Sequence, residues 1–191
     1  DGTPSGAVHW FYNLNPANPE SGGPTAGLAW GLSSDHFVTG DFDGDGQDDI
    51  AVWRSGPEAL FYILHTGDYT LRIEQFGTEG DTPGVVGDYN GDNKDDLAVY
   101  RSGANTGDQS YWFYRTEPEG PITYVPWGSG GDFPAPGDYD GDGFADFVVQ
   151  RAEGGNGAFW TLYNPAGSPA TPAEVVFFGT STDVIVSGDY D

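Results

Sequence analysis

Short apolar runs separated by glycine- and aspartate-rich turns make up most of the chain, and no segment sustains the 3.6-residue period of an amphipathic helix. The runs are of four kinds that recur in a fixed order. An A run approaches an acidic loop, as in Gly84 to Asp88. A B run leaves it, as in Asp96 to Arg101. A C run is rich in aromatics (His9 to Leu14, Leu60 to His65, Tyr111 to Arg115, Phe159 to Asn164). A D run ends on an aromatic residue followed by glycine. Each is short enough for a strand, and Gly/Pro clusters such as Asn164 to Pro172 separate C from D. Four strands in about 50 residues is the period of a propeller blade. The pattern therefore predicts an all-β, β-propeller-like fold of about four blades, each of four short antiparallel strands, with helices nearly absent.

Two markers keep the repeats in phase. Asp41, Asp88, Asp138 and Asp189 open the acidic loops, at spacings of 47, 50 and 51 residues. Trp30-Gly31, Phe76-Gly77, Trp127-Gly128 and Phe178-Gly179 precede them, each with an aspartate five places after the aromatic (Asp35, Asp81, Asp132, Asp183). The reading is one repeat domain over 1–191: a partial blade 1–36, blades 37–83, 84–133 and 134–183, and a last partial strand 184–191. Joined, the two partial pieces supply A, C and D strands but no B. The terminal blade is thus expected to be incomplete, filled by further chain or by a partner, because an unfilled sheet edge is an association site.

The loops carry the candidate chemistry. The first offers oxygens from Asp41, Asp43, Asp45, the backbone carbonyl of Gln47, and Asp49. The second offers Asp88, Asn90, Asp92, the Lys94 carbonyl and Asp96; the third offers Asp138, Asp140, Asp142, the Phe144 carbonyl and Asp146. Oxygens at positions 1, 3, 5, 7 and 9, with a residue tolerant of left-handed backbone at position 6 (Gly46, Asn93, Gly143), follow the logic of calcium-binding loops. Thirteen of the 30 acidic residues lie in these loops, which without a cation would repel one another. About three Ca2+ sites are expected, with structural roles. A split fourth site is expected from Asp189 and Asp191 together with Asp1.

Composition narrows the class. Six Lys+Arg against 30 Asp+Glu give a net charge of −24, which leaves no basic footprint for nucleic acid or for anionic lipid. Aromatics at 15% separate the chain from disordered acidic segments. There is no cysteine, so disulfides and thiolate metal sites are excluded. No apolar run reaches the length of a membrane span. No basic-then-apolar leader is present, so any signal peptide is expected to have been removed already.

The D-x-D-x-D-G-x-x-D loops, followed by an apolar strand and preceded by the aromatic-Gly marker, resemble the FG-GAP/VCBS repeat of integrin α-subunits and many bacterial secreted proteins. The resemblance covers essentially the whole chain. It implies calcium between strands A and B, a secreted or cell-surface setting, and roles in adhesion or carbohydrate contact. The N-terminal blade departs from the pattern in lacking its loop and B strand.

Nothing marks a catalytic centre. His9, His36 and His65 show no zinc-ligand spacing, no G-x-S-x-G elbow occurs, and the acids that can be placed are committed to the loops. Arg54, Arg101 and Arg151 each stand 13 residues after a repeat's first aspartate, which suggests one structural ion pair per blade with the Asp35-type carboxylates. Trp112, Trp160 and Tyr163 suit either packing between blades or stacking on sugar rings, packing being the simpler. The expectation is a non-enzymatic extracellular module, calcium-stabilised, that associates with itself, head to tail or as an oligomer, or with another surface protein. A carbohydrate-binding propeller or an accessory module of a secreted enzyme is the alternative.

Overall fold

The structure is a computed structural model that describes residues 6–13, 25–164 and 174–185. Among these residues every regular element is a strand. The strand expected over Val184–Asp189 lies outside them except for Val184 and Ile185, as do the split-site residues Asp1, Asp189 and Asp191. The chain divides into two compact units, residues 1–36 and 37–191.

The first unit contains one antiparallel pair, β1 (Ala7–Asn13) with β2 (Thr25–Leu32). Its Trp10 Nε1 donates to the Trp30 carbonyl at 3.1 Å. These are the predicted C and D strands.

The larger unit places three sheets in series. The first has the full A-B-C-D order: β3 (His36–Gly40), β4 (Asp49–Arg54), β5 (Leu60–Leu64) and β6 (Leu71–Gln75). The second has β7 (Leu97–Arg101), β8 (Gln109–Arg115) and β9 (Thr123–Ser129). The third runs β10 (Phe133–Pro134), β11 (Phe147–Glu153), β12 (Asn156–Leu162) and β13 (Glu174–Thr180). One expectation needs correction. In the second sheet the A segment is reduced to two isolated bridges, Thr82 to Tyr100 and Gly87 to Asp96. Pro83 interrupts it because proline has no N–H to give to a ladder. Pro134 and Pro136 shorten the third A strand in the same way.

Alternation along the strands builds the core between sheets. The face of the first sheet (Trp53, Phe61, Ile63, Phe76) is covered by Leu97 and Val99 from the B strand of the next repeat. The face of the second (Tyr100, Trp112, Tyr114) is covered by Phe147 and Val149 from the one after. Trp53 and Trp112 are almost completely buried, and Trp53 Nε1 donates to the Phe76 carbonyl at 2.9 Å. Tyr89 stacks between Tyr114 and Phe147, with ring centroids 4.9 and 5.1 Å away. Trp112 is therefore a core residue. Half-buried Trp160 packs on the same cluster beneath the Arg151 guanidinium, and the Tyr163 hydroxyl is bonded to Glu174.

The aromatic-Gly markers stand at the end of each D strand, where the chain enters the following turn. The glycines sit at φ of 81°, 91°, 92° and 71° (Gly31, Gly77, Gly128, Gly179), a region costly for residues with a side chain. A Cβ on Gly128 would lie 2.7 Å from the Tyr100 hydroxyl. Asp35, Asp81, Asp132 and Asp183 each accept the amide three residues earlier. Asp81 and Asp132 also hold predicted arginines: Arg101 pairs bidentately with Asp81 at 2.7 and 2.8 Å, and Arg151 with Asp132 at 2.9 and 2.7 Å. Arg54 stacks over the Tyr62 ring. Asp81 is buried, so Asp81→Ala strands a turn amide and a guanidinium and is expected to cost about 1–3 kcal/mol. The exposed Asp183→Ala should cost less than half as much. Denaturant unfolding of the two variants checks the difference.

Candidate cation sites in the acidic loops

All three predicted loops join an A segment to a B strand, and each folds around its first aspartate. The Asp41 carboxylate accepts the amides of Gly44, Asp45 and Gly46 at 2.7–3.1 Å. Asp88 takes those of Asn90, Gly91, Asp92 and Asn93; Asp138 takes those of Gly141, Asp142 and Gly143. Residues three and five places on reach positive φ, including Asn93 at 63°, as its side chain permits. The third and fifth side chains bond to amides two residues ahead: Asp43 and Asp45 in the first loop, Asn90 and Asp92 in the second, Asp140 and Asp142 in the third. The ninth carboxylates, Asp49, Asp96 and Asp146, are buried and accept the amide of the loop's second residue.

These turns draw carboxylates together. Ligand atoms of Asp41, Asp43 and Asp45 lie within 4.8 Å of one another, as do those of Asp138, Asp140 and Asp146. In the second loop Asn90 Nδ2 bonds to Asp92. Burial without a counter-charge pushes Asp96 up to about 7 and Asp146 to about 6, with the neighbouring aspartates adding to the rise. Asp95 is likewise raised to about 6, by burial first. The donor set is hard oxygen on a hydrogen-bonded turn, and it fits a divalent cation of the calcium kind. The seventh residues, Gln47, Lys94 and Phe144, direct their amides to the fifth side chain.

One participant has no signal in linear spacing. His65 is buried, with Nδ1 at 2.8 Å from Asp49 and 3.4 Å from Asp43, so loop 1 also gathers a mixed nitrogen–oxygen cluster. The register of the hairpin is what brings it there. Ile50 faces Leu64, so the next pair outward is Asp49 with His65. The same position holds Thr116 in the second repeat and Tyr163 in the third.

Successive loops are stitched to each other. Asp95 N donates to the Asp41 carbonyl, and Ala145 N to the Asp88 carbonyl, both at 2.7 Å. A Cβ on Gly44 would meet the Lys94 side chain at 3.0 Å, and one on Gly91 would meet the Phe144 ring at 2.5 Å. Asn164 adds a buried tie, donating to the Tyr89 and Ala145 carbonyls at 3.1 Å.

Serial antiparallel sheets joined through acidic loops define a blade-repeat protein of β-propeller-like type. Residues 41–99 match the family model of the FG-GAP-like repeat, a span that runs from the first loop to the strand after the second. That segment is similar to FG-GAP-like repeats, and the third loop and sheet repeat its geometry. No curated protein matches the chain.

Proposed function

We propose that the chain is a calcium-stabilised extracellular module that acts by binding or assembly and catalyses no reaction. Calcium would sit in the three loops, held by Asp41, Asp43, Asp45 and Asp49, by Asp88, Asn90, Asp92 and Asp96, and by Asp138, Asp140, Asp142 and Asp146, with the carbonyls of Gln47, Lys94 and Phe144 completing the sets. The ions would cancel charge that otherwise opposes packing of one repeat on the next. The observation that carries the binding role is the third sheet. Phe42 and Tyr89, second in their loops, are 3% and 1% exposed, whereas the equivalent Tyr139 is 47% exposed. Phe76 ends its D strand 3% exposed, and Phe178 ends its own 75% exposed. Around them Gln150, Phe159, Thr161 and Val176 line a hollow of about 460 Å³. This is the face on which a following repeat packs in the other two sheets. A second copy of the chain, or another surface protein with a comparable strand, suits it.

The test is solution mass by light scattering, in millimolar calcium and then in excess chelator. A calcium-dependent multimer that Phe178→Asp dissolves supports assembly. A monomer under both conditions removes it and leaves a module for other partners.

A groove favours a second reading. About 650 Å³ opens between β6 and the β7–β8 hairpin, lined by Phe76, Phe113, Glu74, Gln75, Arg101 and Arg115. Apolar rings beside fixed polar groups suit a saccharide. Retention on a glycan array, lost in Arg101→Ala, would support that reading.

A further inference from the structure

We propose that Asp95 is a positioning residue for the first cation loop, through which the second loop sets the affinity of the first. The inference rests on the reading of the acidic loops as cation sites. Asp95 is eighth in its own loop and outside the ligand positions. Its amide donates to the Asp41 carbonyl at 2.7 Å, and its carboxylate Oδ2 accepts the Asp41 amide at 2.8 Å. Both backbone polar groups of Asp41 are thus held by one residue of the next repeat, and Asp41 is the residue around which loop 1 folds. The carboxylate has room because position 40 is glycine, where a Cβ would overlap Asp95 Oδ2.

The next junction lacks half of this contact. Ala145 gives its amide to the Asp88 carbonyl but has no carboxylate to receive the Asp88 amide. A Cβ at Gly87 would meet the Ala145 methyl at 2.9 Å, with no carboxylate near it. Asp95 is also bonded in sequence to Asp96, the buried ninth residue of loop 2, whose carboxylate takes the Tyr89 amide at 3.0 Å. Closing loop 2 around a cation fixes Asp96, hence Asp95, hence Asp41. Linkage makes the effect reciprocal: filling loop 1 tightens loop 2 by the same factor. Loop 3 places no side chain of its own on the Asp88 backbone, and its side-chain tie to loop 2 runs through Asn164, outside both loops, to the Tyr89 and Ala145 carbonyls, so its coupling is weaker.

The experiment is a calcium titration of the whole chain followed at three amides, Gly46, Asn93 and Gly143, each of which donates to the first aspartate of its loop. In the unmodified chain Gly46 and Asn93 are expected to move together. In Asp95→Ala the Gly46 curve should shift to roughly tenfold higher calcium, the loss of one charge-assisted hydrogen bond, while Gly143 stays in place. Asp95→Asn keeps an acceptor for the Asp41 amide and should restore most of the affinity. An unmoved Gly46 curve in Asp95→Ala, with Asn93 and Gly143 still responding, overturns the proposal and spares the calcium reading. Asp95→Asn as weak as Asp95→Ala also overturns it, because charge alone would then account for the effect. No response at any of the three amides overturns both.

Discussion

Calcium added to the chelator-treated protein is expected to raise its melting temperature by roughly 5–10 °C for each loop filled. Ligand at a hundredfold excess over its dissociation constant contributes about 2.7 kcal/mol per site, and a chain of this size gains about 2–4 °C per kcal/mol. The pH dependence should differ in sign between the two forms. In the cation-free protein Asp96 rises to about 7, and Asp95 and Asp146 to about 6, because burial disfavours their ionised forms. In the unfolded chain they return to the ordinary aspartate value near 4. The folded state therefore binds more protons between about pH 4 and 7, and the associated stability is present below pH 4 and lost as pH rises through 7. With calcium bound, Asp96 and Asp146 are required as anions, and stability should rise over the same window. Melting scans at pH 5 and pH 8, with and without chelator, read both signs. A cation-free protein that is more stable at pH 8 than at pH 5 would contradict this account.

Trp53→Ala is expected to be the most damaging single core substitution of the first sheet, at about 3–5 kcal/mol. The indole is fully buried between the sheet and the β7 strand of the next repeat, and its loss also leaves the Phe76 carbonyl without that donor. Phe178→Ala should change the stability of the monomer by under about 0.5 kcal/mol, as expected for an exposed position. Urea unfolding at low protein concentration measures both. A large effect of Phe178→Ala that appears only as concentration rises would tie that ring to self-association.

Much of this architecture was legible because the repeat supplies its own controls. Strand order, the aromatic-Gly turns and the Arg101–Asp81 and Arg151–Asp132 pairs all followed from markers that recur in phase. The left-handed Asn93 was predictable from side-chain chemistry alone. Less legible were features that depend on what lies across a hairpin or in the next repeat. His65 meets Asp49 only through the B–C register, and linear spacing carries no trace of a pair 16 residues apart. The shortened A strands follow from Pro83, Pro134 and Pro136, whose missing amides matter once the ladder partners are known. The fate of Trp112 turned on which strand faces it, and Phe147 does.

The glycines of the loops have a consequence for how such chains are built and rebuilt. Gly40 is small for Asp95, Gly44 for Lys94 and Gly91 for Phe144, so the tolerance of one repeat is written in its successor. A single repeat is not an interchangeable cassette. A graft that carried Gly91 without Phe144 would leave a gap at the seam, and one that set Phe144 against a side chain at that position would clash, although each half were sound. The middle loop is matched on two sides, Lys94 and Asp95 to the loop before and Gly87 and Gly91 to the loop after, so excising one repeat separates matched pairs at both seams.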